Sequence, residues 1–231
     1  MKILILGDGI LGSEFRKQFG WDYISRKKNS FDFESLESYK HLLNDYDTIV
    51  NCIANCDTYN EKRDVSWNIN FKATVDLIDF LEDHKKKLVH IGTDQLYANS
   101  VTNASELDVP VHTSTWYSYS KLLADAYVQL KMSRFLIFRG THKKKPFEYD
   151  KGMVDQIGNF DYVDTIAELM GKLIISNKQG IYNIGTEKKS AYELGKQTKK
   201  NIEKFHGKFF ESQPTDLTMN IDKLKKEMND K

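Results

Sequence analysis

Ile3-Leu4-Ile5-Leu6-Gly7-Asp8-Gly9-Ile10-Leu11-Gly12 decides the fold of this 231-residue chain. Residues 2–6 have the short, continuous aliphatic character of a strand buried on both faces of a parallel sheet. Three glycines follow at once, spaced Gly7-x-Gly9-x-x-Gly12, and a helix is expected from about Leu11 to Phe19, closed by Gly20. Glycines at this spacing permit a tight turn and a close backbone approach, and the helix N-terminus offers its N–H groups to an anion. The spacing alone is a weak signal. Its position between a strand and a helix is the context that gives it meaning. We read it as a dinucleotide site, against the plainer alternative of an unoccupied glycine turn.

Outward from this unit, strands and helices alternate. Strands are expected at Trp21–Ser25, Thr48–Ile53, Leu88–Ile91 and Phe135–Phe138, and helices at Leu36–Asn44, Asp64–His84 and from Tyr117 to about Met132. Ile69, Ala73, Leu77 and Phe80 form one apolar stripe on the second of these helices. This alternation predicts an α/β fold, a Rossmann-like doubly wound parallel sheet. Beyond Arg139 the pattern weakens. A polar stretch from Thr141 to Gly158 precedes a helix at Thr165–Ile175, a strand at Ile181–Ile184, a helix at Ala191–Phe205 and a terminal helix at Asp222–Met228. The expected division is a nucleotide-binding domain over 1–140 and a reduced substrate-binding region over 141–231, partly interleaved in one compact unit.

Bulk properties exclude several classes. The net charge is +1, so no overall field points to nucleic acid or to a membrane. No apolar run approaches the roughly 20 residues of a spanning helix. The N-terminal run is too brief for a signal sequence, and a cytoplasmic protein is expected. Cys52 and Cys56 suggest no disulfide framework, and the six histidines lack metal-ligand spacing. No metal is expected.

The chemistry is carried by Tyr117-Ser118-Tyr119-Ser120-Lys121 with Thr93 upstream. Four residues apart on a helix, Tyr117 and Lys121 share one face. A phenol beside an ammonium is a proton-transfer device, because a nearby cation favours the ionised phenol. The bland alternative for Tyr117 is packing or capping. After the second strand, where dinucleotide sites choose between an acid for the ribose hydroxyls and an arginine for a 2′-phosphate, stand Ser25-Arg26-Lys27-Lys28, with no carboxylate. Arg26 would pair bidentately with a 2′-phosphate. NADPH is therefore expected, with NADH the second choice; the alternative is a solvated basic turn.

Together these residues resemble the extended short-chain dehydrogenase/reductases, and within them the dTDP-4-dehydrorhamnose reductase family. The resemblance runs through Gly7–Gly12, Asn51-Cys52-Ile53-Ala54, Asn70, Gly92-Thr93-Asp94-Gln95-Leu96-Tyr97, the Tyr117/Lys121 pair, Asp155-Gln156-Ile157-Gly158 and Gly180–Gly185. It implies reduction of a nucleotide-linked 4-keto-6-deoxy sugar. Tyr117 would protonate the nascent hydroxyl, Lys121 would hold the nicotinamide ribose and lower the tyrosine pKa, and Thr93 would hydrogen-bond the carbonyl. Gly7, Gly9, Ile10, Leu11, Gly12, Ser25, Arg26, Cys52, Ile53, Ala54 and Asn70 would line the cofactor with Tyr117 and Lys121. Thr93, Asp94, Gln95 and Arg139 would face the substrate. The segment between Arg139 and Asp155 is shorter than the resemblance implies and lysine-rich, with Lys143-Lys144-Lys145 as either a diphosphate contact or a solvated loop. Homodimerisation is also implied, with no interface marked in the sequence.

Rival readings are a dehydratase, a 4-epimerase and a non-catalytic NADP-binding regulatory subunit. Gln95 stands where the related dehydratases carry an acid, which argues against dehydration. The shortened substrate region is what favours the regulatory subunit.

Overall fold

Strand β1 (Ile3–Leu6) is buried along its whole length and pairs in parallel with β2 (Asp22–Ile24) on one side and β3 (Thr48–Asn51) on the other. In the computed structural model, which describes residues 1–59, 61–98, 102–108, 115–209, 211 and 213–229, the sheet continues through β4 (Lys87–Ile91), β5 (Phe135–Arg139) and β6 (Gly180–Asn183). The strand order is β2-β1-β3-β4-β5-β6, all parallel. The order reverses between β1 and β3, and that switch point is where open α/β sheets hold ligands beyond the strands' carboxyl ends.

Period-two alternation sends neighbouring strand residues to opposite layers. Ile3 and Ile5 face a core shared with Phe15, Ile166 and Met170, from α1 (Ile10–Phe19) and a later helix, Val163–Ile175. Leu4 and Leu6 face the other core, with Leu77, Ile78, Leu81 and Val128. Those come from α2, a continuous helix over 63–83 whose middle, Ser66–Lys72, is π-helical, and from α3 (Trp116–Lys131). Thr115 caps α3 in a reciprocal box with Ser118, which fixes where that helix begins. The Val163–Ile175 helix is α4.

Two expected helices differ. Leu36–Asn44 forms two 3-10 turns, Leu36–Ser38 and Lys40–Leu43, on either side of the fully buried Tyr39. Tyr39 packs between Phe31 and Phe33, at ring centroid distances of 5.0 and 6.0 Å, and this aromatic anchor overrides continuous helix. The Ala191–Phe205 segment is helical only over α5 (Ala191–Lys196). Glu203–Phe205 then turns to strand and pairs in parallel with Lys151–Met153.

The polar segment after Arg139 is folded. His142–Lys143 pairs with Asp161–Tyr162, and Ile157–Gly158 lies between Lys189–Ser190 and Asp216–Leu217. Phe147, Met153, Phe160, Tyr162, Leu194 and Ile202 form its own small core. The C-terminal helix, α6 (Asp222–Asn229), packs on β6. Among the described residues no helix is long and apolar enough to cross a membrane.

Candidate active site

At the end of β1 the chain turns on Gly7, whose φ of +98° disfavours other residues and whose N–H donates to the Ile24 carbonyl at 2.9 Å. A Cβ on Gly12 would sit 2.2 Å from the Gly7 carbonyl oxygen, so this loop closes on its helix only with glycine there. A Cβ on Gly9, by contrast, would meet no atom within 4 Å. No side chain caps α1 at Gly9, and its first turn has no acid. The first turn therefore has no side-chain acceptor and carries the positive end of the helix dipole, a cradle suited to a pyrophosphate. Ile10 is exposed beside it, while Leu11 is buried.

Ser25 and Arg26 follow β2. Ser25 is buried and caps the Arg26–Asn29 turn, its Oγ accepting from the Lys28 N–H at 3.2 Å. It holds the turn that displays Arg26, which is exposed. The same edge carries more positive charge, for the Arg16 guanidinium lies 3.5 Å and the Lys28 ammonium 4.2 Å from the Tyr23 ring centre.

Beyond β3, the Asn51 side chain accepts from the Ile53 N–H, and Cys52, Ile53 and Ala54 follow half-buried. Asn70, expected at the cofactor, is committed to protein. It exchanges hydrogen bonds with the Asn55 backbone at 2.8 and 2.9 Å and donates to Ser120 Oγ at 3.2 Å. Its π-helical setting turns it inward, where it ties the loop after β3 to α3.

Thr93 ends the β4 side of the site. Its Oγ1 accepts from the Gln95 N–H at 3.2 Å, and its hydrogen bond with Tyr117 favours the ionised phenol. Tyr117 and Lys121 lie one turn apart on the buried face of α3. Burial dominates both. It pushes the Tyr117 phenol up, and it pulls Lys121 down to about 8. Burial of the phenol acts against the lowering expected from Lys121. The ammonium itself lies 3.3 Å from His90 Nε2. Asp94 is fully buried, with Oδ1 accepting from Thr141 at 2.6 Å and Oδ2 without a partner among the described residues, and burial raises its pKa. Gln95 is half-buried.

Arg139, expected on the substrate side, is 1% exposed and fully engaged in the interior. It pairs in a fork with Asp125 at 2.9 and 3.1 Å, and Nη1 donates to the Tyr97 hydroxyl and the Glu106 carbonyl. The lysine run divides. Lys144 pairs with Glu148, and Lys145 with Asp164. Lys143 is half-buried, near enough to Asp94 for the two charges to act on each other. Both cysteines are free thiols whose positions put them in the field of Lys121, and Cys56 also faces Tyr117. Among the described residues no group of side chains could hold a metal.

Sequence reasoning missed His90, Cys56 as a neighbour of Tyr117, and the Arg139 network. His90 was findable by alternation, since it shares a strand face with Leu88, which packs toward α2 and α3. Nothing local marks the Arg139–Asp125 pair, which joins a strand to a helix.

A glycine cradle at the switch point of a doubly wound sheet, with a threonine, a tyrosine and a lysine beside it, defines a Rossmann-type nucleotide-binding protein. A family model described as the RmlD substrate binding domain matches residues 1–142, and the chain belongs to that family. Solved structures resemble it over nearly their full lengths. A dTDP-4-dehydrorhamnose reductase from Bacillus anthracis in complex with NADP is 20% identical, with a TM-score of 0.82 over 97% of this chain and 92% of that one. A hypothetical dTDP-4-dehydrorhamnose reductase from Sulfolobus tokodaii is 19% identical, with a TM-score of 0.81 over 98% and 94%. A dTDP-glucose 4,6-dehydratase from Bacillus anthracis in complex with NAD is 20% identical, with a TM-score of 0.74 over 99% and 90%. No curated protein matches the sequence.

Proposed function

We propose that this chain is an NADPH-dependent reductase of a nucleotide-linked 4-keto-6-deoxy sugar. The observation that carries the reading is the convergence of Thr93, Tyr117 and Lys121 beside an uncapped glycine cradle at the switch point. Gly7, Gly9 and Gly12 would take the pyrophosphate, Arg26 the 2′-phosphate, and Lys121 the nicotinamide ribose. The bound nicotinamide supplies hydride chemistry.

The remaining work falls to the chain. Reduction of a ketone needs a proton at the oxygen, and the buried Tyr117 keeps its proton throughout the neutral range. The phenolate left after donation lies one turn from the Lys121 ammonium and within the Thr93 hydrogen bond, so its charge is met by preorganised partners. Lys143, half-buried beside Asp94, is the lysine of its run suited to a substrate phosphate. Gln95 offers no titratable proton for water elimination. Purified protein with NADPH and a nucleotide-linked 4-keto-6-deoxy sugar should consume the nicotinamide absorbance in step with substrate. A bound cofactor with no consumption across a panel of such sugars would sink the reading.

One observation favours a second reading. Tyr117 is only 9% exposed, and Lys143, from the shortened segment, lies close to Asp94. A crowded site suits a non-catalytic NADP-binding subunit. Tight NADPH binding, no turnover and a stable complex with another protein would select it.

A further inference from the structure

We propose that His90 is the positioning residue for Lys121, accepting a hydrogen bond from its ammonium through Nε2 and so fixing where that charge sits. The inference rests on the proposed reductase only for its effect on NADPH binding. Leu88 and His90 point to one face of β4, and on that face the imidazole is fully buried against α3. Its Nε2 lies 3.3 Å from Lys121 Nζ, and Lys121 is itself 3% exposed. The other ring nitrogen, Nδ1, is buried and has no hydrogen-bond partner among the described residues. An orphaned buried N–H is costly, so an aliphatic residue like its register neighbour Ile137 would suit the core better. What an aliphatic residue would lack is the acceptor.

The groups facing Lys121 leave His90 that task. Asp125, on the same helix, has both oxygens engaged by Arg139 and Gln129. The Cys52 thiol, at the end of β3, is held protonated by burial, and the Cys56 thiol in the loop after it is exposed to solvent; both thiols are weak acceptors. Tyr117, one turn away, is likewise held protonated. Burial also keeps the imidazole neutral, so Nε2 is free to accept. A neutral acceptor favours the charged ammonium, and losing it would lower the pKa of Lys121 further.

Three variants test this. His90→Leu removes the acceptor, His90→Gln returns an oxygen near the position of Nε2, and His90→Asn is too short to reach. In the protein without cofactor, the Lys121 ammonium is titrated by NMR. Its pKa is expected to fall by about one unit in His90→Leu and His90→Asn and to return in His90→Gln. In NADPH titrations followed by fluorescence, His90→Leu and His90→Asn should bind about three-fold more weakly at pH 7.5, as the charged fraction of Lys121 falls, with recovery in His90→Gln. An unmoved Lys121 titration in His90→Asn, or equal behaviour of His90→Asn and His90→Gln, overturns the proposal. Should His90→Leu fail to fold, the Asn and Gln pair still decides. The NMR titration also needs no cofactor. A protein that does not bind NADPH would therefore refute the reductase reading while leaving the His90 contact to its own test.

Discussion

Tyr117 and Lys121 carry opposite consequences of one fact, their burial. Tyr117 is held protonated, so Tyr117→Phe should lower turnover by about a hundred-fold or more while leaving NADPH affinity nearly unchanged, as read by steady-state kinetics beside fluorescence titration. Lys121 titrates near 8, so kcat/KM should be level through neutral pH and fall above about 8 as the ammonium is lost. Stability runs the other way. The folded pKa of about 8 lies below the roughly 10.4 of an unfolded lysine, so the unfolded chain binds more protons between those values. The cost of the buried charge is present in full below 8 and is relieved as pH rises toward 10.4. Lys121→Met should therefore gain about 3 kcal/mol at pH 7, shrinking toward pH 10, in urea unfolding. Lys87, which burial also lowers to about 8, adds in the same direction, so the difference between wild type and variant isolates the Lys121 share.

At the scale of elements, the site is held by joints between strands and helices. Arg139 on β5 and Asp125 on α3 form a buried fork that fixes how α3 lies against the sheet. Arg139→Met strands a buried carboxylate and should cost about 3–5 kcal/mol in equilibrium unfolding. An Arg139 that met substrate instead would raise KM with little loss of stability. These joints also mark what was legible in the sequence. The strand–glycine–helix opening, the five parallel strands that begin the sheet and the Tyr117/Lys121 face could be read because each depends on local periodicity or spacing. The buried partners of Asn70 and Arg139 could not be read, because they lie 15 and 14 residues away in the chain, and alternation places His90 on a buried face without revealing Lys121, 31 residues away. The helix expected at 36–44 failed for a related reason. Local propensity favoured helix, while the packing of Tyr39 against Phe31 and Phe33 favoured two tighter turns.

Across the whole molecule, β1 leads into the glycine cradle and β2 leads to the basic turn, while β4 and α3 bring Thr93, Tyr117 and Lys121 to the same end of the sheet. Arg26 stands on that basic edge with Arg16 and Lys28 nearby. Arg26→Ala should weaken NADPH binding by about ten-fold or more and leave NADH binding unchanged, in parallel titrations with both cofactors. The central claim is that this arrangement reduces a sugar ketone. The most direct measurement supplies NADPH deuterated at the transferred position with a nucleotide-linked 4-keto-6-deoxy sugar and reads the product by mass spectrometry and NMR. On that claim, one deuterium is expected on the former carbonyl carbon and one oxidised cofactor per sugar, with both formed at least about a hundred-fold more slowly in Tyr117→Phe. A protein that binds both ligands yet leaves the cofactor reduced and the sugar without deuterium would contradict it.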